Sequence, residues 1–226
     1  MNVAIIVAAG RGERAGGGRA KQFREVSGTP IIIHTLSRFE RCESVAEVVV
    51  VAPAGSAAEA LALARRHGLA KPARAVEGGR TRAESVRRGL AAVSPGAAVV
   101  AVHDGVRPFV TPEEIDRVVR EAERTGAAIL ATPAVDTIKE VSGGRVVGTP
   151  ERARLWRAQT PQCFRLELLR RAYEGGREFG PEATDDSALV ERLGVAVSVV
   201  EGGPHNIKIT TPLDFALAEA LVRSYQ

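Results

Sequence analysis

The feature that most constrains this chain is a regular alternation of apolar runs and capped amphipathic segments over its first 131 residues. Val3–Ala8 and Ala97–Val102 are continuously apolar, Val45–Ala52 is apolar but for Glu47 and Ala73–Val76 but for Arg74, and Ala127–Ala131 is a shorter apolar piece. None alternates strictly with polar residues, so each reads as a strand covered on both faces. Between them lie helical patterns. Thr29-Pro30 is a candidate cap and first turn for a helix from Ile31, and Ser56–His67 is rich in Ala and Leu and stops at Gly68. Thr81–Glu84 and Thr111–Glu114 have capping-box spacing, the second with Pro112 in its first turn. Strand and helix in turn imply a three-layer α/β fold on a mostly parallel sheet, with ligands at the carboxyl ends of the strands.

The pattern breaks after residue 131. Thr137–Val141 and Arg145–Val147 flank Ser142-Gly143-Gly144, a hairpin signal too small to carry a core. Helices are expected at Leu166–Tyr173 and Asp186–Leu193, a strand at Val195–Val200, and a last helix opening at Thr211-Pro212. Composition removes several function classes. Aromatic residues are 4% of the chain, too few for a nucleic-acid stacking platform. The formal charge of +4 suits a phosphorylated small molecule, and the arginines are scattered rather than gathered on one basic helix face. Cys42 and Cys163 have no CxxC neighbour, which argues against a thiolate metal site and for buried thiols in a reduced compartment. No apolar stretch approaches a membrane span and the start reads as no leader, so a cytoplasmic protein without membrane or nucleic-acid partners is expected.

Three segments carry chemistry on their own terms. Gly10–Lys21 follows the first strand with five glycines and with Arg11, Arg14, Arg19 and Lys21. Such a loop brings backbone amides and cations close to a polyphosphate. It is neither GxxxxGK[ST] nor GxGxxG, and no ribose-binding acid follows, which disfavours a P-loop enzyme and a dinucleotide oxidoreductase. Gly78–Ser85 opens a helix whose first amides can meet a phosphate, a base carbonyl or a ribose hydroxyl. The alternative is a plain turn and a well-capped helix, with Thr81 and Glu84 satisfying each other. Val102–Pro108 ends the fourth strand. Asp104 and Arg107 there are either ligands for a ribose, metal or phosphate or a structural ion pair, and His103 is either a buried structural residue or a base. Lys208, between Ile207 and Ile209, either points back into the cleft or snorkels from an edge.

Taken in order, Ala8-Ala9-Gly10-x-Gly12-x-Arg14, Lys21-Gln22-Phe23, Gly78-Gly79-x-x-Arg82-x-x-Ser85, His103-Asp104-x-x-Arg107-Pro108, Asp136-Thr137-Ile138-Lys139, Thr160-Pro161-Gln162, Thr184-Asp185 and Asn206-Ile207-Lys208 resemble the 2-C-methyl-D-erythritol 4-phosphate cytidylyltransferase family. Ala20, Asp186 and Gly105-Val106 depart from its usual proline, glutamate and alanine pair. The resemblance implies a Rossmann-like nucleotidyltransferase fold over residues 1–226, with a β-hairpin arm at about 136–158 that crosses a homodimer interface. It implies CTP and a polyol phosphate as substrates and Mg²⁺ carried mainly on the CTP phosphates. By motif, Arg14 and Lys21 would grip those phosphates, and Lys208 would reach the reacting one. Ala8, Ala9, Gly10, Gly12, Gly78, Gly79, Arg82 and Ser85 would hold the nucleotide, with Asp104 near ribose and metal. Arg107, Thr137, Arg152, Thr160 and Thr184 would surround the sugar phosphate, and Asp185 would support that pocket. Lys21, Lys208 and Arg14 are the expected catalytic groups. A sister enzyme acting on ribitol 5-phosphate is the nearest alternative.

Overall fold

The computed structural model describes residues 1–10, 20–175 and 185–224. Seven strands form one sheet. They are β1 (Val3–Val7), β4 (Glu47–Ala52), β5 (Pro72–Glu77), β6 (Val99–Asp104), β7 (Ala127–Pro133), β10 (Trp156–Arg165) and β11 (Ser198–Glu201), ordered β11-β7-β10-β6-β1-β4-β5. β1, β4, β5 and β6 run parallel, as do β7 and β11, while β10 is antiparallel to both its neighbours. The expected three-layer, mostly parallel α/β architecture is what the chain adopts.

The unbroken apolar runs are explained by the two faces they serve. Ala4, Ile6, Val48, Val50 and Ala101 pack under α1 (Ile31–Arg41), α2 (Ala57–Arg66) and α4 (Pro112–Thr125). Their neighbours Val3, Ile5, Val49, Val51, Val100 and Val102 pack under α3 (Arg82–Ala91), α5 (Leu166–Gly175) and α6 (Asp186–Glu191). Successive side chains on a strand point to opposite faces, so a doubly covered strand must be apolar at every position. A third, smaller cluster joins Val26, Ile31, Val106, Phe109 and Ile209 to α7 (Pro212–Ser224), tying the C-terminal helix to the site end of the sheet.

Most local signals match the structure. Thr111 and Glu114 form a full capping box with Pro112 in the first turn, and Gly126 closes α4 at φ 97°. Gly143 and Gly144, both at positive φ, turn the hairpin between β8 (Glu140–Ser142) and β9 (Arg145–Gly148). Three expectations are corrected. Thr29 caps nothing: β3 (Thr29–Pro30) pairs with β2 (Glu25–Val26), and Pro30 holds the cap position of α1 without a side-chain bond. Glu84 does not answer Thr81: it accepts from the Arg80 amide, while Thr81 accepts from the Glu84 amide. β10 carries no strand signal because its sequence is polar and holds Pro161. A register shift between Ala158 and Gln162 takes Gln159, Thr160 and Pro161 out of the ladder, which is how a central strand tolerates proline.

Gly89 lets α3 lie against the sheet. A Cβ there would stand 2.6 Å from Ile5 Cγ2 and 3.0 Å from Val51 Cγ2. Gly89→Leu overpacks this contact and is expected to cost about 1–3 kcal/mol. The denaturant midpoint reports it, and an unchanged midpoint would contradict the packing described here.

Candidate active site

The parallel strands end together. Val7 stands level with Asp104 on β6 and with Val51 on β4, and the Ala8 amide donates to the Val51 carbonyl at 2.8 Å. The chain leaving β1 therefore passes over the starts of the loops after β5 and β6. Small residues are obligatory at these crossings. A Cβ on Gly78 would fall 2.1 Å from the Ala9 Cβ, and one on Gly105 would fall 2.9 Å from the Ala8 Cβ. This packing brings Ala8, Ala9, Gly78 and Gly79 together.

Asp104 is the centre of charge. Its side chain is buried at the end of β6 and is met by three cations from three other segments. Arg82 Nε, at the first residue of α3, lies 3.1 Å from Oδ1, and Lys208 Nζ lies 2.8 Å from Oδ2. Arg107 Nε stands 3.7 Å from Oδ2, and Arg107 Nη1 donates to the Asn206 carbonyl at 2.8 Å. Burial alone would raise the Asp104 carboxyl, but Arg82, then Lys208 and Arg107, outweigh it and hold the group well below the usual carboxylate range. Burial, and then repulsion from Arg82, lowers Arg107 from its ordinary value, against the pull of Asp104. Lys208 is 40% exposed where Arg107 is 14%, so it is the cation that can turn outward.

Lys21 joins the group. The turn at Lys21–Phe23 is pinned by buried Gln22, which donates to the Ala8 carbonyl. Lys21 Nζ donates to the Ile209 carbonyl at 3.1 Å, next to Lys208. The first loop and the last are thus joined at the same edge.

His103 and Thr160 form the floor. The Arg107 carbonyl can only accept, so His103 Nε2, 3.1 Å away, carries the ring proton. Nδ1 then accepts from the Thr160 hydroxyl at 3.0 Å, and that oxygen accepts from the Asp104 amide at 3.1 Å. The bulge in β10 is what carries Thr160 there. Burial drives the His103 pKa down to about 4, which makes it a neutral structural residue at ordinary pH.

Other expected residues hold the scaffold. The Ser85 hydroxyl accepts from the Gly79 amide and donates to the Thr81 carbonyl. Asp185 caps α6 through the Ala188 amide and accepts from Gln162 Nε2 at 2.8 Å. Thr137 and Arg152 are exposed on the arm, and Arg152 donates to the Val135 carbonyl. Among the described residues no bond joins either to Asp104. Gly12, Arg14 and Thr184 lie outside the described residues. Two bracing residues are not singled out for the site by the sequence. Gln159 donates to the Gly203 carbonyl and accepts from Asn206 Nδ2, and Glu114 accepts from the Gly203 amide. Together they fix the loop that delivers Lys208. The only legible trace is Glu114 in its capping box.

Among the described residues no three His, Cys, Asp or Glu side chains stand together as a metal cage. One buried carboxylate beside a cluster of cations fits an ion held chiefly by substrate phosphates, as Mg²⁺ commonly is.

The neutral His103 gives a testable pH dependence. The unfolded chain takes up the imidazole proton near 6.5, the folded one only at about 4. Between those values the unfolded state binds more protons, so stability falls as pH is lowered. His103→Gln is expected to remove about 2–3 kcal/mol of the loss between pH 7 and 4.5, read by urea denaturation. An undiminished loss would show that His103 is not buried neutral.

The chain matches the family model for 2-C-methyl-D-erythritol 4-phosphate cytidylyltransferase over residues 2–224. It is 45% identical to an enzyme of that name from Halalkalibacterium halodurans, over 96% of this chain and 95% of that protein. The solved structure of the Thermus thermophilus enzyme of that name matches with TM-score 0.78 and 37% identity, covering 99% of this chain and 100% of that one. The 4-diphosphocytidyl-2C-methyl-D-erythritol synthase structure from Anaerococcus prevotii matches with TM-score 0.87 and 32% identity, covering 98% and 97%. With a family match over residues 2–224 and 45% identity across nearly its whole length, the chain belongs to the 2-C-methyl-D-erythritol 4-phosphate cytidylyltransferase family.

Proposed function

We propose that this edge transfers the cytidylyl group of CTP to 2-C-methyl-D-erythritol 4-phosphate. The products are 4-diphosphocytidyl-2-C-methyl-D-erythritol and pyrophosphate. The observation that carries the reading is the convergence of Lys208, Arg82 and Arg107 on Asp104, with Lys21 tied to the Ile209 carbonyl beside them, in a chain that matches this family over residues 2–224. A phosphate oxygen of the acceptor attacks the α-phosphorus of CTP. The bond from that phosphorus to the bridging oxygen breaks, and pyrophosphate leaves with the electron pair. No protein nucleophile is required, so catalysis rests on alignment and on charge.

Two phosphorylated reactants repel each other, and the cations offset that repulsion. Lys208 turns from Asp104 to the reacting phosphate, and Lys21 and Arg14 bind the triphosphate. Ala8, Ala9, Gly10, Gly12, Gly78, Gly79 and Ser85 bound the nucleoside, where small or absent side chains permit close approach to the backbone. Arg107, Thr160 and Thr184 take the sugar phosphate, with Asp185 behind them. Asp104 is the carboxylate this edge would offer to Mg²⁺ carried on the CTP phosphates, and that ion would supply further charge neutralisation.

Residues 1–226 act as one catalytic domain that works as a homodimer. Support comes from the arm, whose Val135, Val141, Val146 and Val147 are each at least 61% exposed, an apolar surface unsuited to water. On this reading Thr137 and Arg152 serve the partner's site. The charged reactants do not cross a bilayer unaided, which supports a cytoplasmic location, and no described helix is long and apolar enough to span one.

Three measurements test these statements. Pyrophosphate release should require CTP, Mg²⁺ and methylerythritol phosphate. Equal turnover of ribitol 5-phosphate would defeat the acceptor assignment. Lys208→Ala should lower kcat by about 10²–10³ without unfolding the protein, the usual loss of a donor used mainly in the transition state. A kcat within twofold of the parent would remove Lys208 from the mechanism. Sedimentation should give the mass of two chains, and Val146→Asp should shift it toward one; a monomeric parent would contradict the arm's role.

A further inference from the structure

Behind Asp104 stands a second buried carboxylate. Asp186, the first residue of α6, is fully buried, although a helix start packed on a sheet needs no charge there. Its backbone is fixed, because Gln162 Oε1 accepts from the amides of both Asp186 and Ser187. Its two oxygens are divided. Oδ1 accepts from the Tyr173 hydroxyl at 2.5 Å, and Oδ2 accepts from Arg82 Nη2 at 2.8 Å. Arg82 in turn gives Nε to Asp104 Oδ1 at 3.1 Å.

We propose that Tyr173 and Asp186 are positioning residues for the reaction at this edge, a half-buried hydroxyl and a buried carboxylate that immobilise Arg82 against Asp104. The contacts stand by themselves; that they serve catalysis rests on the cytidylyltransferase reading above. A guanidinium held by one carboxylate can pivot about it. Held through Nε and Nη2 by carboxylates from two elements, the planar fork has one orientation. Asp104 is then fixed by Oδ1, leaving Oδ2 toward Lys208 and the reactants. Tyr173 completes the arrangement. By occupying Oδ1 it leaves Oδ2 as the oxygen for Arg82, and without it Asp186 would hold an unsatisfied buried acceptor and could rotate. A carboxylate buried completely at Asp186 costs desolvation that an apolar side chain would not, so its presence against the half-buried Arg82 points to orientation rather than stability.

The test is a double-mutant cycle on the full-length protein, with kcat, KM for CTP and Tm read for each variant. Tyr173→Phe is expected to lower kcat about tenfold while KM changes less than about threefold, and to have less than about a twofold effect once Arg82→Gln is present. Equal losses in both backgrounds, or a parent-like kcat in Tyr173→Phe, would overturn the proposal. Asp186→Glu, which keeps the carboxylate, should retain most of the activity that Asp186→Asn loses; equal losses in the two would count against it. A readout free of substrate separates this inference from the functional one. The Arg82 Nε–H signal in ¹⁵N spectra should exchange slowly with water in the parent and about tenfold faster in Tyr173→Phe. Slow exchange in both would overturn the relay even in a protein that turned over methylerythritol phosphate. A parent with no turnover but with this difference would overturn only the assigned reaction.

Discussion

The buried carboxylate of Asp104 is what the rest of the site is built around. A charge taken from water at a strand end is costly unless it is paired and hydrogen-bonded. Here β6 supplies the anion, while α3, the turn after β6 and a loop more than 100 residues downstream supply Arg82, Arg107 and Lys208. Folding the anion inward therefore gathers cations from across the chain. Lys21 is added through the Ile209 carbonyl. Among the described residues, Arg82, Arg107, Lys208 and Lys21 thus stand with the carboxylates Asp104 and Asp186 at one edge. An excess of positive charge of this kind attracts phosphorylated ligands, with Arg82 and Arg107 already held in place when they arrive.

The scaffold makes that gathering possible through close approach. Parallel strands level at Val7, Val51 and Asp104 send their following segments over one another, and only Gly78 and Gly105 fit beneath Ala9 and Ala8. The same economy appears lower down, where β10, antiparallel to both its neighbours in the main sheet, bulges around Pro161 and presents Thr160 to His103 and the Asp104 amide. Since the Thr160 proton is committed to His103, its remaining capacity is to accept. That suits a substrate hydroxyl better than a bare phosphate oxygen.

Much of this was readable from the chain. Doubly covered strands announce themselves as unbroken apolar runs, and Thr111, Pro112 and Gly126 set the bounds of α4 by their own chemistry. What was not readable depends on ladder or tertiary partners that no local pattern names. β10 looks like a loop because its polar residues and proline are satisfied by the bulge and by neighbours on β6, β7 and the last loop. Thr29 looks like a cap but is drawn into a two-stranded ladder with Val26. Arg82 and Asp104 were both expected at a nucleotide site, yet nothing local shows that one guanidinium joins Asp104 to Asp186. Ser85 and Asp185 lie where the motifs put them, with their side chains turned to holding the Gly79 loop and the start of α6.

The account reduces to a claim about place: the triphosphate of CTP lies on the charge cluster centred on Asp104. A crystal structure of the protein with CTP and Mg²⁺ tests it most directly. The account predicts phosphate oxygens within hydrogen-bonding distance of Lys21 and of a Lys208 that has left Asp104, with Arg82 still bridging Asp104 and Asp186. Phosphates bound elsewhere on the protein, with Lys208 still paired to Asp104, would contradict it.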